Sequence, residues 1–178
     1  MANTTFSGPV RSKNGFQSIG PGAVVALTAA TNLTVADHAG RLLTMDPVGT
    51  PTAITLPTIN ATADSAVAGP GSDPNNPSTI GTTFEILFID EFTGTISTDG
   101  TDKFVGSVMV GVDDGSKKAF VPAAANDVVN LNGEAGAGNA TKGGLIGSRI
   151  KFTATADNTY MVEGLLIGDG TIVTPFGN

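Results

Sequence analysis

Apolar and polar positions alternate along this chain in short runs, and the period of two is clearest near the end. Ile150, Phe152 and Ala154 fall on one side of a strand and Arg149, Lys151 and Thr153 on the other. Tyr160, Val162 and Leu166 line one face of the next strand, with Asp157-Asn158 as the turn between the two. The run Thr83-Phe-Glu-Ile-Leu-Phe-Ile-Asp90 is nearly all apolar, which predicts a strand covered on both faces. Shorter apolar or β-branched runs predict strands over 23–28, 41–46, 53–57, 95–97, 103–110, 119–121, 128–131 and 171–174, with 175–178 as a tail.

The breaks between runs are as informative as the runs. Thr34 can cap a single helical turn over Val35 to Ala39, and Gly40 can end it in a left-handed conformation. Pro57 stops one strand, Asp113-Asp114-Gly115 has the composition of a hairpin turn, and Gly106 allows a bulge or a close backbone approach. Two stretches near 58–82 and 132–147 are rich in Gly, Ala, Asn, Ser and Pro and read as long surface loops. Residues 1–22 read as an extended N-terminal arm, interrupted by Gly8-Pro9, Gly15 and Gly20-Pro21-Gly22. Roughly nine to eleven short strands joined by turns predict an all-β fold. The expected form is a single β-sandwich or jelly-roll-like domain of short antiparallel strands over residues 23–178.

Composition pushes the same way. The chain has 24 Gly and 10 Pro in 178 residues, and only 14% of it is charged, too little to clothe the outer faces of solvated helices. The formal charge is −7, with nine scattered Lys and Arg, which argues against a phosphate-facing surface for nucleic acid. A mean hydropathy of +0.16 at so low a charge density suits a protein that hides part of itself against neighbours. No run approaches the roughly 20 apolar residues that span a bilayer. The first residues lack both the positive cluster and the apolar run of a signal peptide, so a soluble chain made in a cytoplasm is expected.

Candidate chemistry is sparse. Cysteine is absent, which removes disulfides, Cys-based zinc sites and Cys nucleophiles together. His38, the only histidine, follows Asp37 and could be imagined in a Ser–His–Asp triad. Adjacent residues on one turn point in different directions, however, and an ordinary turn histidine is the simpler reading. Asp99, Asp102, Asp113, Asp114 and Asp169 lie in Gly-containing turns and offer hard oxygen ligands, but neither EF-hand nor nonapeptide calcium spacing occurs. Gly136 to Lys142 fails the spacing of a phosphate-binding loop. Asn-x-Ser/Thr sequons at Asn3, Asn32, Asn60 and Asn139 arise by chance in a Thr-rich chain, and one Tyr with no Trp makes a poor sugar platform. No catalytic residue, cofactor or metal is expected.

Three stretches carry a likeness to a known class of protein. They are the opening Met1-Ala-Asn-Thr-Thr-Phe-Ser-Gly-Pro-Val-Arg-Ser-Lys-Asn-Gly-Phe16, the middle from Leu33-Thr-Val-Ala-Asp-His-Ala-Gly-Arg41 through Ile54-Thr-Leu-Pro57 to Phe84-Glu-Ile-Leu-Phe-Ile89, and the close. The close runs Tyr160-Met-Val-Glu-Gly-Leu-Leu-Ile-Gly-Asp-Gly-Thr171 and then Thr174-Pro-Phe176. Together they cover most of the chain, as diffuse patterns rather than chemical signatures. In them the chain resembles virion structural proteins of tailed marine, cyanophage-like bacteriophages, of the type that decorate a capsid.

That resemblance implies a decoration or cement protein on the capsid surface, a homotrimer bound to the major capsid protein and stabilising the shell. No membrane or nucleic-acid partner is expected, from the charge and hydropathy given above. The arm then becomes a capsid-contacting or subunit-crossing segment, with Phe6, Val10, Arg11 and Phe16 as its anchors. The alternative is a head- or tail-fibre protein or adhesin that binds a host receptor through the two long loops. A hydrolase on a β scaffold, with His38 as its only obvious general base, is the third possibility.

Overall fold

The computed structural model describes residues 23–46, 52–61, 78–112, 115–134 and 139–178. These form twelve strands and one helical turn. In chain order the elements are β1 (Val24–Leu27), β2 (Thr31–Asn32), α1 (Val35–His38), β3 (Leu42–Met45), β4 (Thr52–Thr55), β5 (Thr83–Phe88) and β6 (Thr93–Ser97). They continue with β7 (Lys103–Gly111), β8 (Lys117–Phe120), β9 (Val128–Asn132), β10 (Arg149–Ala156), β11 (Thr159–Ile167) and β12 (Phe176–Gly177).

The strands assemble into two mixed sheets. One has seven strands in the order β1-β3-β5-β10-β11-β7-β8, the other five in the order β12-β9-β6-β4-β2. The first six strands alternate between the sheets as the chain advances. Each therefore pairs in parallel with the strand two places on: β1 with β3, β3 with β5, β2 with β4, and β4 with β6. β11 also runs parallel to β7. The expectation of antiparallel strands is thus corrected. Antiparallel pairing is confined to β5–β10, β10–β11, β7–β8, β6–β9 and β9–β12. Short connections such as residues 28–30 carry the chain from one sheet to the other.

A single cluster of buried side chains draws on both sheets. It includes Leu43, Ile86, Phe152 and Tyr160 from the larger sheet and Ile54, Ile96 and Val129 from the smaller. Phe104 and Phe152 meet as a tilted pair at 5.4 Å between ring centres, and Phe88 meets Phe92 at 5.6 Å. The period-two reading is observed directly: Ile150, Phe152 and Ala154 are buried, as are Tyr160, Val162 and Leu166. β5 differs from its expectation. Phe84, Ile86 and Phe88 enter the core, while Thr83, Glu85 and Leu87 on the other face are only half-buried. Its apolar appearance comes from Leu87 on the outward side.

Local chemistry sets the details. α1 forms where Thr34 accepts the Asp37 N–H at 3.2 Å as its N-cap, and Gly40 follows at φ 68°. Gly106 sits at φ 105° with no register shift between β7 and β11, and a Cβ there would lie 2.3 Å from the Val162 carbonyl oxygen. Of the two readings for Gly106, close approach is therefore the one observed. The strand expected over 171–174 does not form. Instead Phe176 is buried and β12 pairs with β9, so the expected tail is the edge strand of the smaller sheet.

Candidate interaction surface

The outward side of the seven-stranded sheet presents a band that register alone defines. One row crosses the whole sheet as Ala26, Thr44, Leu87, Arg149, Leu165, Met109 and Ala119. The row beside it runs Val24, Leu42, Glu85, Lys151, Glu163 and Ser107. Beyond it Thr83, Thr153, Met161 and Val105 are in register. Leu165 is 52% exposed, Val105 46% and Met109 42%, with Val24 and Ile167 on the same side also open to solvent. Alternation in an ordinary one-sided sheet would put polar groups at these positions.

Charge is paired within the band. Arg149 Nε lies 2.6 Å from Glu85 Oε1, and Lys151 Nζ lies 2.9 Å from Glu163 Oε1. Both are exposed pairs of the kind that contribute little to stability. Their effect is to leave the centre of the band close to neutral in a chain of net charge −7. Arg149, Lys151, Glu163, Gly164 and Leu165 line a shallow groove there. The surface can therefore approach another protein without bringing the acidic remainder of the chain into contact first.

A second cluster lies where the turn after β6 meets the end of β4. Asp102 is buried, and its Oδ2 accepts the Ile59 N–H at 3.0 Å while Oδ1 has no hydrogen-bond partner. Burial, with the nearby Asp99 and Asp157 carboxylates, raises its pKa against the opposing effect of the Ile59 N–H and Lys103. Asp99 shifts downward. Its slight burial is outweighed by the Asp102 N–H, the Thr58 hydroxyl and the Thr101 N–H, which all donate to it. Tyr160 donates to the Pro57 carbonyl at 2.7 Å, and burial pushes its phenol well above the usual range. These groups fasten the chain after β4 to the larger sheet, through backbone partners and the Thr58 hydroxyl.

The residues singled out by sequence fall into different places. Phe6, Val10, Arg11 and Phe16 lie outside the described residues, as do Asp113 and Asp114. Asp37 and His38 both turn to the helix cap rather than to each other: the Thr34 hydroxyl donates to Asp37 Oδ2 at 2.9 Å, and the Thr34 N–H donates to His38 Nδ1 at 2.9 Å. Among the described residues, no group of three or more His, Asp or Glu side chains is placed to hold a metal ion.

Of the loop 132–147, residues 139–147 are tied down. The Phe92 N–H donates to Gly144 and the Gly133 N–H to Phe92, both through backbone carbonyls, and the Asn132 side chain bonds to the Lys142 N–H and the Asn139 carbonyl. Of the loop 58–82, residues 62–77 lie outside the described residues. The outward band was missed from sequence because it emerges only when β5, β10, β11 and β7 lie side by side. Its trace in the sequence was apolar residues such as Leu87, Val105, Met109 and Leu165 at positions where alternation calls for polar groups.

No protein-family model matches this sequence, and neither a curated protein nor a solved structure matches it.

Proposed function

We propose that this chain is a non-enzymatic structural protein that docks on a larger assembly through the outward face of its seven-stranded sheet. The observation that carries the reading is the exposed band of Leu165, Met109, Val105 and Ile167 around two internally paired charge pairs. An apolar, charge-balanced face of this kind marks a protein contact. The two sheets, sharing one core, are read as the layers of a sandwich of jelly-roll-like type.

The assembly that fits best is a bacteriophage head, with the chain as a decoration protein on the outside of the major capsid protein. The likeness of its two ends and middle to virion proteins supports this, and so does its low charge density. A protein that binds only the assembled shell stabilises that shell by linkage. Phe6, Val10, Arg11 and Phe16 are proposed as further contacts. The alternative, a fibre or adhesin that reads a receptor through its long loops, is less well served, because the described part of 132–147 is fastened to Phe92 and Asn132.

Co-sedimentation of the purified chain with expanded, empty heads of its own virus tests the proposal. The unmodified chain pellets with the heads. Leu165→Lys and Met109→Lys, which place a charge on the band without touching the core, weaken that binding at least about tenfold, the equivalent of one anchor of a contact. Unchanged binding by both folded variants rules out this face.

A further inference from the structure

An Asn-Gly dipeptide closes β9, at Asn132-Gly133, and a second, Asn14-Gly15, lies outside the described residues. Asparagine is a thermolabile residue, and most so before glycine, whose N–H can turn on the neighbouring amide carbon without a side chain in the way. Gly133 is required here for packing, since a Cβ would lie 2.1 Å from the Gly144 carbonyl oxygen. The fold therefore carries a labile pair that its packing does not allow it to replace.

Both reacting groups are engaged. Gly133 is buried, and its N–H donates to the Phe92 carbonyl at 2.9 Å. Asn132 Nδ2 donates to the Asn139 carbonyl at 2.6 Å and to the Thr141 hydroxyl at 3.1 Å, while Oδ1 accepts the Lys142 N–H at 2.7 Å. The Asn132 N–H donates to the Gly143 carbonyl at 3.2 Å, and the Phe92 N–H to the Gly144 carbonyl at 2.8 Å. Residues 139–144 thus form a strap across the pair. A buried, hydrogen-bonded amide gives up its proton to solvent only when its segment opens. Gly133 becomes a nucleophile under the same condition.

We propose that Asn132 is a fold-gated deamidation site, closed while the strap is seated and converted when it lifts, and that conversion keeps the strap from reseating. Once the strap lifts, the Gly133 amide loses its proton to solvent and its nitrogen bonds to Asn132 Cγ. Nδ2 takes up a proton and leaves as ammonia, and water then opens the cyclic imide to an aspartate or an isoaspartate. The product carries a carboxylate where the amide was. The Asn139 carbonyl loses its donor and faces a negative oxygen instead. An isoaspartate also adds a methylene to the backbone at the Thr93–Asn132 pair, which shifts the register of β9 against β6. The proposal is independent of the docking face, because it concerns the chain's own covalent chemistry.

Peptide mass spectrometry of the full chain held at neutral pH, with amide hydrogen exchange at Gly133 followed in parallel, tests it. In denaturant Asn132 and Asn14 convert at similar rates. In the native chain Asn132 converts at least about tenfold more slowly than in denaturant, and its rate rises in step with Gly133 exchange as denaturant is added below the unfolding transition. Asn132→Asp, which installs the product, speeds exchange of the Phe92 amide, whose acceptor is in the strap. The readings on the unmodified chain decide the gating even where the variant fails to fold. Conversion of Asn132 as fast in the native chain as in denaturant, or at a rate that does not follow Gly133 exchange, overturns the proposal. Unchanged Phe92 exchange in a folded Asn132→Asp chain overturns the claim that conversion keeps the strap off.

Discussion

Asp102 is a buried carboxylate with one oxygen bonded to the Ile59 N–H and the other bonded to nothing. Its pKa lies above the ordinary aspartate value of 3.8, so the folded chain holds the proton more tightly than the unfolded chain does. Its contribution to stability is present below 3.8 and is lost as pH rises through the raised folded value. Asp99 works in the other sense, because its lowered pKa gives stability above 3.8 that is lost as pH falls through the folded value. Asp102→Asn keeps an acceptor for Ile59 and cannot titrate. Melting temperatures from neutral pH down to about 4 should therefore show the unmodified chain gaining on the variant as the pH falls. Parallel curves would show that the Asp102 carboxyl does not titrate differently on folding. His38, which sequence reasoning marked as a possible base, is occupied at the same scale by helix capping, and Thr34 explains its position without any reaction.

Among the elements, what could be read from sequence is what local chemistry controls. The helical turn of Val35–His38 was legible because Thr34 and Gly40 act within a few residues of it. The inward set of β10 was legible because one face of that strand meets the core. Pairing partners were not, since a turn's composition does not say which sheet the chain enters next. Residues 28–30 and 89–92 both cross between sheets, which makes neighbouring strands parallel where antiparallel ones were expected. β2 has two residues and β12 has two, too few to show a period.

The loop after β9 shows a constraint of the same kind. Gly144 has φ 108°, and a Cβ there would stand 2.5 Å from the Phe92 carbonyl oxygen. Gly144→Ala should lower unfolding free energy by about 2–3 kcal/mol in denaturant titration, from backbone strain plus displacement of Phe92. A change within experimental error would mean that this crossing is not held as described.

For the whole molecule, the two mixed sheets and their shared core provide a rigid backing for a face that is left partly apolar. Stability and the proposed attachment then rest on different surfaces of the same strands: Phe84, Ile86, Ile150 and Phe152 point inward, and Leu87, Arg149, Lys151 and Leu165 point outward. Two methionines report on the face directly, and a third serves as a buried control. Met109 is exposed on it, Met161 is half-buried on it, and Met45 is in the core. Mild peroxide oxidation followed by mass spectrometry, on the free chain and on heads that carry it, is the most direct test of docking. Oxidation of Met109 should be rapid in the free chain and several-fold slower on the heads, with Met45 slow in both. Equal oxidation of Met109 in the two states would contradict a face that is covered in the assembly.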